Sequence, residues 1–173
     1  ANGVAFVSRA ESFDTASAFG KAMVGILAVF AELERSRIKE RMMDGQEGRA
    51  KEGKYRGGGF IPTGYDYDAN LGILIPNEYE AMQVREVFDL FINRMPIFTI
   101  MVHMNNKGYR TKYGEWKEQT IRGMLSRRIY IGEIVHKGNV YEGQHEPIIS
   151  LEVFNKAQKI LAEREISNAN RKI

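Results

Sequence analysis

Cysteine is absent from this 173-residue chain, which excludes a disulfide framework and a thiolate metal site. Histidine is scarce: His103, His136 and His145 are scattered without metal-ligand spacing, so no metal and no other cofactor is expected. No apolar run approaches the roughly 20 residues that span a bilayer. The opening Ala1-Asn2-Gly3 has no signal-peptide pattern. The chain therefore reads as cytoplasmic, with no membrane partner. Its length fits one medium domain or two small ones.

Net charge is only +3, but it is unevenly spread. From Arg35 to Phe60 eight Lys or Arg face four acids, and from Lys107 to Lys137 eight face three. Between these blocks, Asp66 to Pro96 holds six acids and two arginines. Two basic blocks separated by an acidic one suit two patches aimed at a polyanion.

The most informative stretch runs from Gly20 to Met43 and on to Gly59. Its first half is almost wholly apolar, and its second half is charged, with Ile38, Met42 and Met43 continuing the apolar face. A helix apolar on most sides must be buried against protein, yet nothing else in the first fifty residues could cover Met23, Ile26, Leu27 and Phe30. The opening therefore reads as the end of a larger domain, or as a surface for a partner chain. Asp14-Thr-Ala-Ser17 supplies candidate caps, and the helix should run from near Ser17 to the mid-forties or Glu52, with Gly45 and Gly48 as weak points. Before it, Gly3 to Ser8 alternates like a short strand.

Gly57 to Tyr65 reads as a breaker and linker. Beyond it, Glu78 to Asn93 has helical spacing at Ala81, Val84, Val87, Phe88 and Phe91, ended by Pro96. A short helix over 98–106 closes at Gly108. A turn-rich insert then leads to Trp116 and a third helix, about 117–126, with Ile121, Met124 and Leu125 facing inward. Tyr130 to His136 and Val140-Tyr141 form a small hairpin. Ser150 caps a last helix through Val153, Phe154, Ala157, Ile160 and Leu161, and the polar tail from Ser167 should fray.

Two helices joined by a glycine-containing turn, the second short and basic, outline a helix-turn-helix with an enlarged turn. Such a motif sets its second helix in the major groove. Off the apolar face of the third helix lie Lys117, Gln119, Thr120, Arg122 and Gly123. Arg reads guanine, Gln reads adenine, and a Thr methyl meets a thymine methyl. Arg127 and Arg128 at its C-terminus, and Lys112 before it, suit phosphates, although the two arginines also complement the helix dipole. On the long helix, Arg37/Arg41 and Arg35/Lys39 are like-charged pairs at i,i+4, unfavourable unless that face lies over phosphates. Lys54, Tyr55, Arg56 and the following glycines suit close approach to a narrow minor groove.

Ser8-x-x-Glu11-Ser-Phe-Asp14-Thr15, Gly20-Lys21 and Ala31-Glu-Leu-Glu34-Arg35-x-x-Ile38-x-Glu40-Arg41 resemble the end of the catalytic domain of serine site-specific recombinases. Gly57-Gly-Gly-Phe-x-Pro62-x-Gly64-Tyr65, Asn77-Glu78-x-Glu80-Ala81, Trp116, Ile121 to Leu125, Tyr130-Ile-Gly132 and His145-x-Pro147-Ile148-Ile149 look like the recombinase domain of the large members of that group. The resemblance implies enzymes that cut both DNA strands through a serine, form a phosphoserine link, exchange strands within a tetramer and religate without metal. Their nucleophile sits on an earlier strand than the one Ser8 matches, so these 173 residues are expected to bind DNA without cleaving it. Glu34 and Arg35 match an accessory Glu-Arg pair on the long helix, and a guanidinium near a phosphoryl group stabilises its displacement. Lys21 stands where many relatives carry Arg. The resemblance also implies that the end of the long helix crosses the duplex and the arm after it follows the minor groove.

The expected architecture is mainly α with a small β component (α+β): a long oligomerisation-type helix, then a helix-turn-helix-like DNA-binding domain with a β-hairpin. Expected bounds are 1–52 for the end of the catalytic domain, 53–65 for a basic linker, 66–166 for the recombinase domain and 167–173 for the tail. Expected partners are double-stranded DNA and, in the full-length protein, copies of itself as homodimer or homotetramer, in the nucleoid. Two alternatives stand beside this: a helix-turn-helix transcriptional regulator dimerising through the long helix, and a protein–protein module.

Overall fold

The computed structural model describes residues 17–57 and 59–170. The strand expected at 3–8, and the capping stretch before Ser17, lie outside the described residues. The chain divides into two compact units, Ala1–Gln46 and Glu47–Ile173.

The first unit is built on helix α1 (Ala18–Lys51), whose last turn belongs to the second. Ser17 caps it: its hydroxyl accepts the Gly20 N–H at 2.9 Å and its carbonyl accepts the Lys21 N–H at 3.0 Å. Gly45 and Gly48 do not break the helix; each faces open space. Strong helix formers on either side, Met, Glu, Arg and Lys, outweigh their cost of about 1 kcal/mol each. Phe19, Val29 and Phe30 are 71%, 67% and 63% exposed, so the apolar half of α1 has no cover among the described residues.

The second unit is mainly α with two small hairpins. Strands β1 (Tyr65–Asp68) and β2 (Ile73–Pro76) pair antiparallel with Tyr65 opposite Pro76. Helices α2 (Glu78–Ile92), α3 (Ile97–Asn106) and α4 (Glu118–Leu125) follow. A 3-10 turn (Arg128–Ile131) then leads to β3 (Glu133–His136) and β4 (Asn139–Glu142), paired antiparallel, and α5 (Leu151–Asn170) closes the chain. No described helix is long and apolar enough to cross a membrane.

Helix α2 is the centre of the core. Val84, Val87, Phe88 and Phe91 are fully buried and belong to one cluster with Ile100, Met104, Ile121, Leu125, Phe154 and Ala157 from α3, α4 and α5. Each large side chain so buried contributes roughly 1.5–3 kcal/mol. Asn77 caps α2 by accepting the Glu80 N–H, and Ser150 caps α5 at Val153. Gly108, with φ +76, follows α3 as expected for a glycine stop.

Two expectations change. The first hairpin, β1–β2, was not foreseen. Its turn is held by Asp68, whose Oδ1 accepts the N–H groups of Asn70 and Leu71 at 2.7 and 3.1 Å, an Asx turn. The second hairpin begins at Glu133 and not at Tyr130. The Tyr130 carbonyl accepts the N–H groups of Ile148 and Ile149 at 3.0 and 2.9 Å, and Gly132, left-handed at φ +83, ends the 3-10 turn before the strand. The backbone of α5 is helical through Asn170.

His145 is buried, and its Nε2 donates to the Ile129 carbonyl at 2.7 Å. Burial holds its pKa below the ordinary imidazole value, so the folded state keeps the ring neutral. A depressed folded pKa makes protonation favour unfolding, so its contribution is full above about pH 6.5 and is lost as pH falls from there. Thermal melting between pH 8 and pH 5 should therefore show a midpoint falling below about pH 6.5, and a flat profile there would contradict it. Gly64 adopts φ +103, and a Cβ there would lie 2.8 Å from Ile148 and 2.9 Å from Val84. Gly64→Ala is expected to cost about 3 kcal/mol by denaturant unfolding, against about 1 kcal/mol for Gly114→Ala; Gly114 shares the positive φ but faces open space.

Candidate nucleic-acid interface

The second unit presents α4 on a rigid frame. Asn105, in the last turn of α3, brackets the backbone of Trp116: its Oδ1 accepts the Trp116 N–H at 3.0 Å and its Nδ2 donates to the Trp116 carbonyl at 2.9 Å. The Trp116 indole is buried and donates to Gln83 on α2 at 3.3 Å. This pins the eleven-residue connection from Lys107 to Lys117 immediately before α4 starts. Ile121, Met124 and Leu125 face the core as expected, and Lys117, Gln119 and Arg122 point outward with Thr120 half-buried. Lys117, Gln119, Thr120 and Arg127 edge a concavity of about 290 Å3 whose other walls include Phe60 and Tyr113.

The basic stretch 53–65 is not a loose linker. Arg49, in the last turn of α1, donates to the Tyr55 carbonyl at 3.1 Å and to the Tyr67 hydroxyl at 2.8 Å. Gly53 sits so close to the Glu142 carbonyl that a Cβ would fall 2.3 Å from it. Its carbonyl accepts the Gln144 N–H at 2.8 Å. At the other end Pro62 to Tyr65 are buried. The Tyr130 hydroxyl donates to the Thr63 carbonyl at 3.0 Å, and the Tyr65 hydroxyl donates to the Glu146 carbonyl at 2.9 Å. Burial holds both phenols well above the ordinary tyrosine pKa, so they remain protonated donors. In the middle of the stretch, Arg56, Gly59 and Phe60 are exposed.

The strap meets the residues flanking α4 through Phe60. Phe60 stacks on Tyr113 with ring centroids 4.6 Å apart, and the Arg127 guanidinium lies 4.9 Å from the Phe60 centroid. A stacked pair and a cation–π contact each contribute on the order of 0.5–1.5 kcal/mol. Tyr55 is half-buried, its pKa raised by that burial, and its hydroxyl donates to the Phe60 carbonyl at 2.5 Å.

The expected site residues thus fall into four groups. Lys117, Gln119, Thr120 and Arg127 line the concavity beside Phe60, Tyr55 and Arg56 lie on the strap, and Arg122 is exposed on α4; among the described residues none of these cations has a carboxylate partner. Lys54 is at the strap's start, paired with Glu52 at 2.8 Å. Lys112 and Arg128 are paired with acids. Lys112 is largely buried between Asp66 at 2.6 Å and Glu80 at 3.1 Å, and Arg128 pairs with Glu133 and lies over Phe154. Both cations already have carboxylate partners in this structure. Glu34, Arg35, Arg37 and Arg41 lie exposed on α1 in the first unit. Sequence reasoning missed Arg49, Phe60 and Tyr113; the signal available was an aromatic residue set directly after three glycines.

Residues 78–164, half of the chain, match the family model described as Recombinase, and residues 1–55 match Resolvase, N terminal domain. Two solved structures are similar, each at 27% identity and TM-score 0.62. One is described as an LSR–DNA complex, and the likeness covers 71% of this chain and 38% of that one. The other is described under the sequence requirements of the Listeria innocua prophage attP site, with 70% of this chain and 51% of that one covered. The chain therefore spans between about a third and a half of the length of these relatives. The regulator alternative gains no support from these likenesses.

The division of cations is testable without DNA. Lys112→Met should cost about 1–3 kcal/mol in thermal or denaturant unfolding, because Glu80 is left under-paired. Arg122→Ala should stay within about 0.5 kcal/mol of wild type. The reverse order would place Lys112, not Arg122, among the outward-facing residues.

Proposed function

The chain belongs to the large serine recombinases, and on that premise we propose that it is the part of such an enzyme that grips the DNA of a recombination site. The observation that carries this is the meeting of the strap with the flanks of α4 around Phe60, with Arg56, Lys117 and Arg127, and Arg122 exposed on α4, unpaired by acids among the described residues. Helix α4 enters the major groove, where Arg122 and Gln119 read base edges, and Arg56 with its flanking glycines follows the adjacent minor groove. Lys54, Arg37 and Arg41 take phosphates. The full-length protein performs site-specific recombination through a phosphoserine intermediate, as integration, excision or transposition. These 173 residues bind the duplex without cutting it. Glu34 and Arg35 assist at the catalytic centre, where a guanidinium steadies the displaced phosphoryl charge. The exposed apolar residues of α1 pair with further copies of the chain in the dimer or tetramer, which works on the nucleoid in the cytoplasm. The bounds 1–52, 53–65 and 66–166 describe the division of labour, with 60–65 packed as part of the DNA-binding domain.

Binding of the purified chain to duplex DNA should weaken linearly in log K against log salt, with a slope of about −0.9 per phosphate neutralised. A flat line would favour the protein–protein reading. Arg122→Ala should lose about 1–3 kcal/mol at one base pair of the preferred site and relax selectivity there. Equal loss on every sequence would make it a phosphate contact. Arg56→Ala should chiefly weaken binding to sites with A/T-rich flanks.

A further inference from the structure

We infer that Phe60 is a positioning residue that fixes the register between the strap and α4 on one duplex. The inference rests on the DNA-binding reading above and adds to it a determinant of site geometry. Two elements that contact neighbouring grooves read a fixed offset only if they are rigidly joined. Along the chain they are far apart: Arg56 precedes α4 by some sixty residues, and Gly59, at φ +80, has open space around it and no packing of its own to set the angle. Across space one ring closes the gap. Phe60 stacks on Tyr113, from the connection before α4, and lies under Arg127, from the end of α4. The Tyr113 hydroxyl accepts the Ile61 N–H at 2.8 Å and donates to the Ile61 carbonyl at 3.2 Å, so it holds the strap backbone beside the ring. On the strap side the Tyr55 hydroxyl reaches the Phe60 carbonyl and brings Arg56 close to the same point.

The placement of this stack argues against a purely structural role. Phe60 is 38% exposed and Tyr113 58% exposed, and neither belongs to the buried core cluster. The strap is already anchored to the fold through Thr63 and Tyr65. What the ring adds is the angle at which Arg56 leaves relative to α4. The backbone bond from Tyr55 survives loss of the ring, so the role of the side chain can be isolated.

The test uses the whole chain and a duplex selected by it from a random pool, with one base pair inserted at each step of that duplex in turn. One inserted pair rotates one contact against the other by about 34°. Wild type should lose roughly tenfold affinity, the order of one base contact, at the insertion lying between the two contacts. Phe60→Ala should bind the original duplex more weakly but tolerate that insertion within about twofold, and Phe60→Trp should restore the discrimination. Phe60→Ala retaining the full tenfold difference, or losing affinity equally on every duplex, would overturn the inference and leave the DNA-binding reading intact. Absence of salt-sensitive duplex binding by wild type would instead defeat that reading, and the inference with it. If Phe60→Ala lowers the melting midpoint, Tyr113→Ala replaces it, with the same outcomes on the same duplexes.

Discussion

Two buried phenols hold the strap to the domain, and the placement of its outward residues beside α4 follows from them. Tyr130, wholly enclosed by the core, donates to the Thr63 carbonyl, and Tyr65 donates to the Glu146 carbonyl. A buried donor without its acceptor is costly, so neither bond is readily given up. Residues 62–65 therefore leave the core at a fixed point and direction, and Phe60 emerges beside α4. Without that anchorage the basic glycine-rich stretch would be a tether of variable reach, as a run of three glycines taken alone suggests.

The cations divide by what reaches them. Arg49 is spent on the Tyr55 carbonyl and the Tyr67 hydroxyl, Arg164 on the carbonyls of Arg94 and Met95, Lys112 on Asp66 and Glu80, and Arg128 on Glu133. All four lie in basic or mixed stretches that look alike by composition. Those left facing outward on α4 and the strap are the ones that the acidic segment from Asp66 to Pro96 does not touch. That segment, read from the sequence as a divider between two patches, supplies two of the carboxylates that neutralise Lys112.

Much of the helical architecture was legible because its signals are local. Alanine, valine and phenylalanine at helical spacing located α2, Gly108 marked the end of α3, and Ile121, Met124 and Leu125 oriented α4. What was not legible depends on partners distant in sequence. Tyr-Asp-Tyr-Asp at 65–68 is too short and polar to announce a strand until Ile73 to Pro76 pairs with it. Tyr130 and Ile131 look like strand residues, but the bonds from Ile148 and Ile149 bend them into a 3-10 turn. The role of Lys112 could not be read from its own neighbourhood, because its two carboxylates lie 46 and 32 residues earlier. The packing of the strap against the flanks of α4 was not legible, because it depends on one surface aromatic, Phe60, set between a tyrosine and an arginine distant in sequence.

The central claim is that a fixed strap and a fixed helix hold one duplex from adjacent grooves. Cleavage of a bound duplex by hydroxyl radicals, read beside methylation of guanine N7, tests it most directly. The account predicts a short run of protected minor-groove sugars abutting a stretch of protected major-groove guanines, always at the same offset. Protection in the major groove alone, or sugars protected at varying offsets, would contradict it.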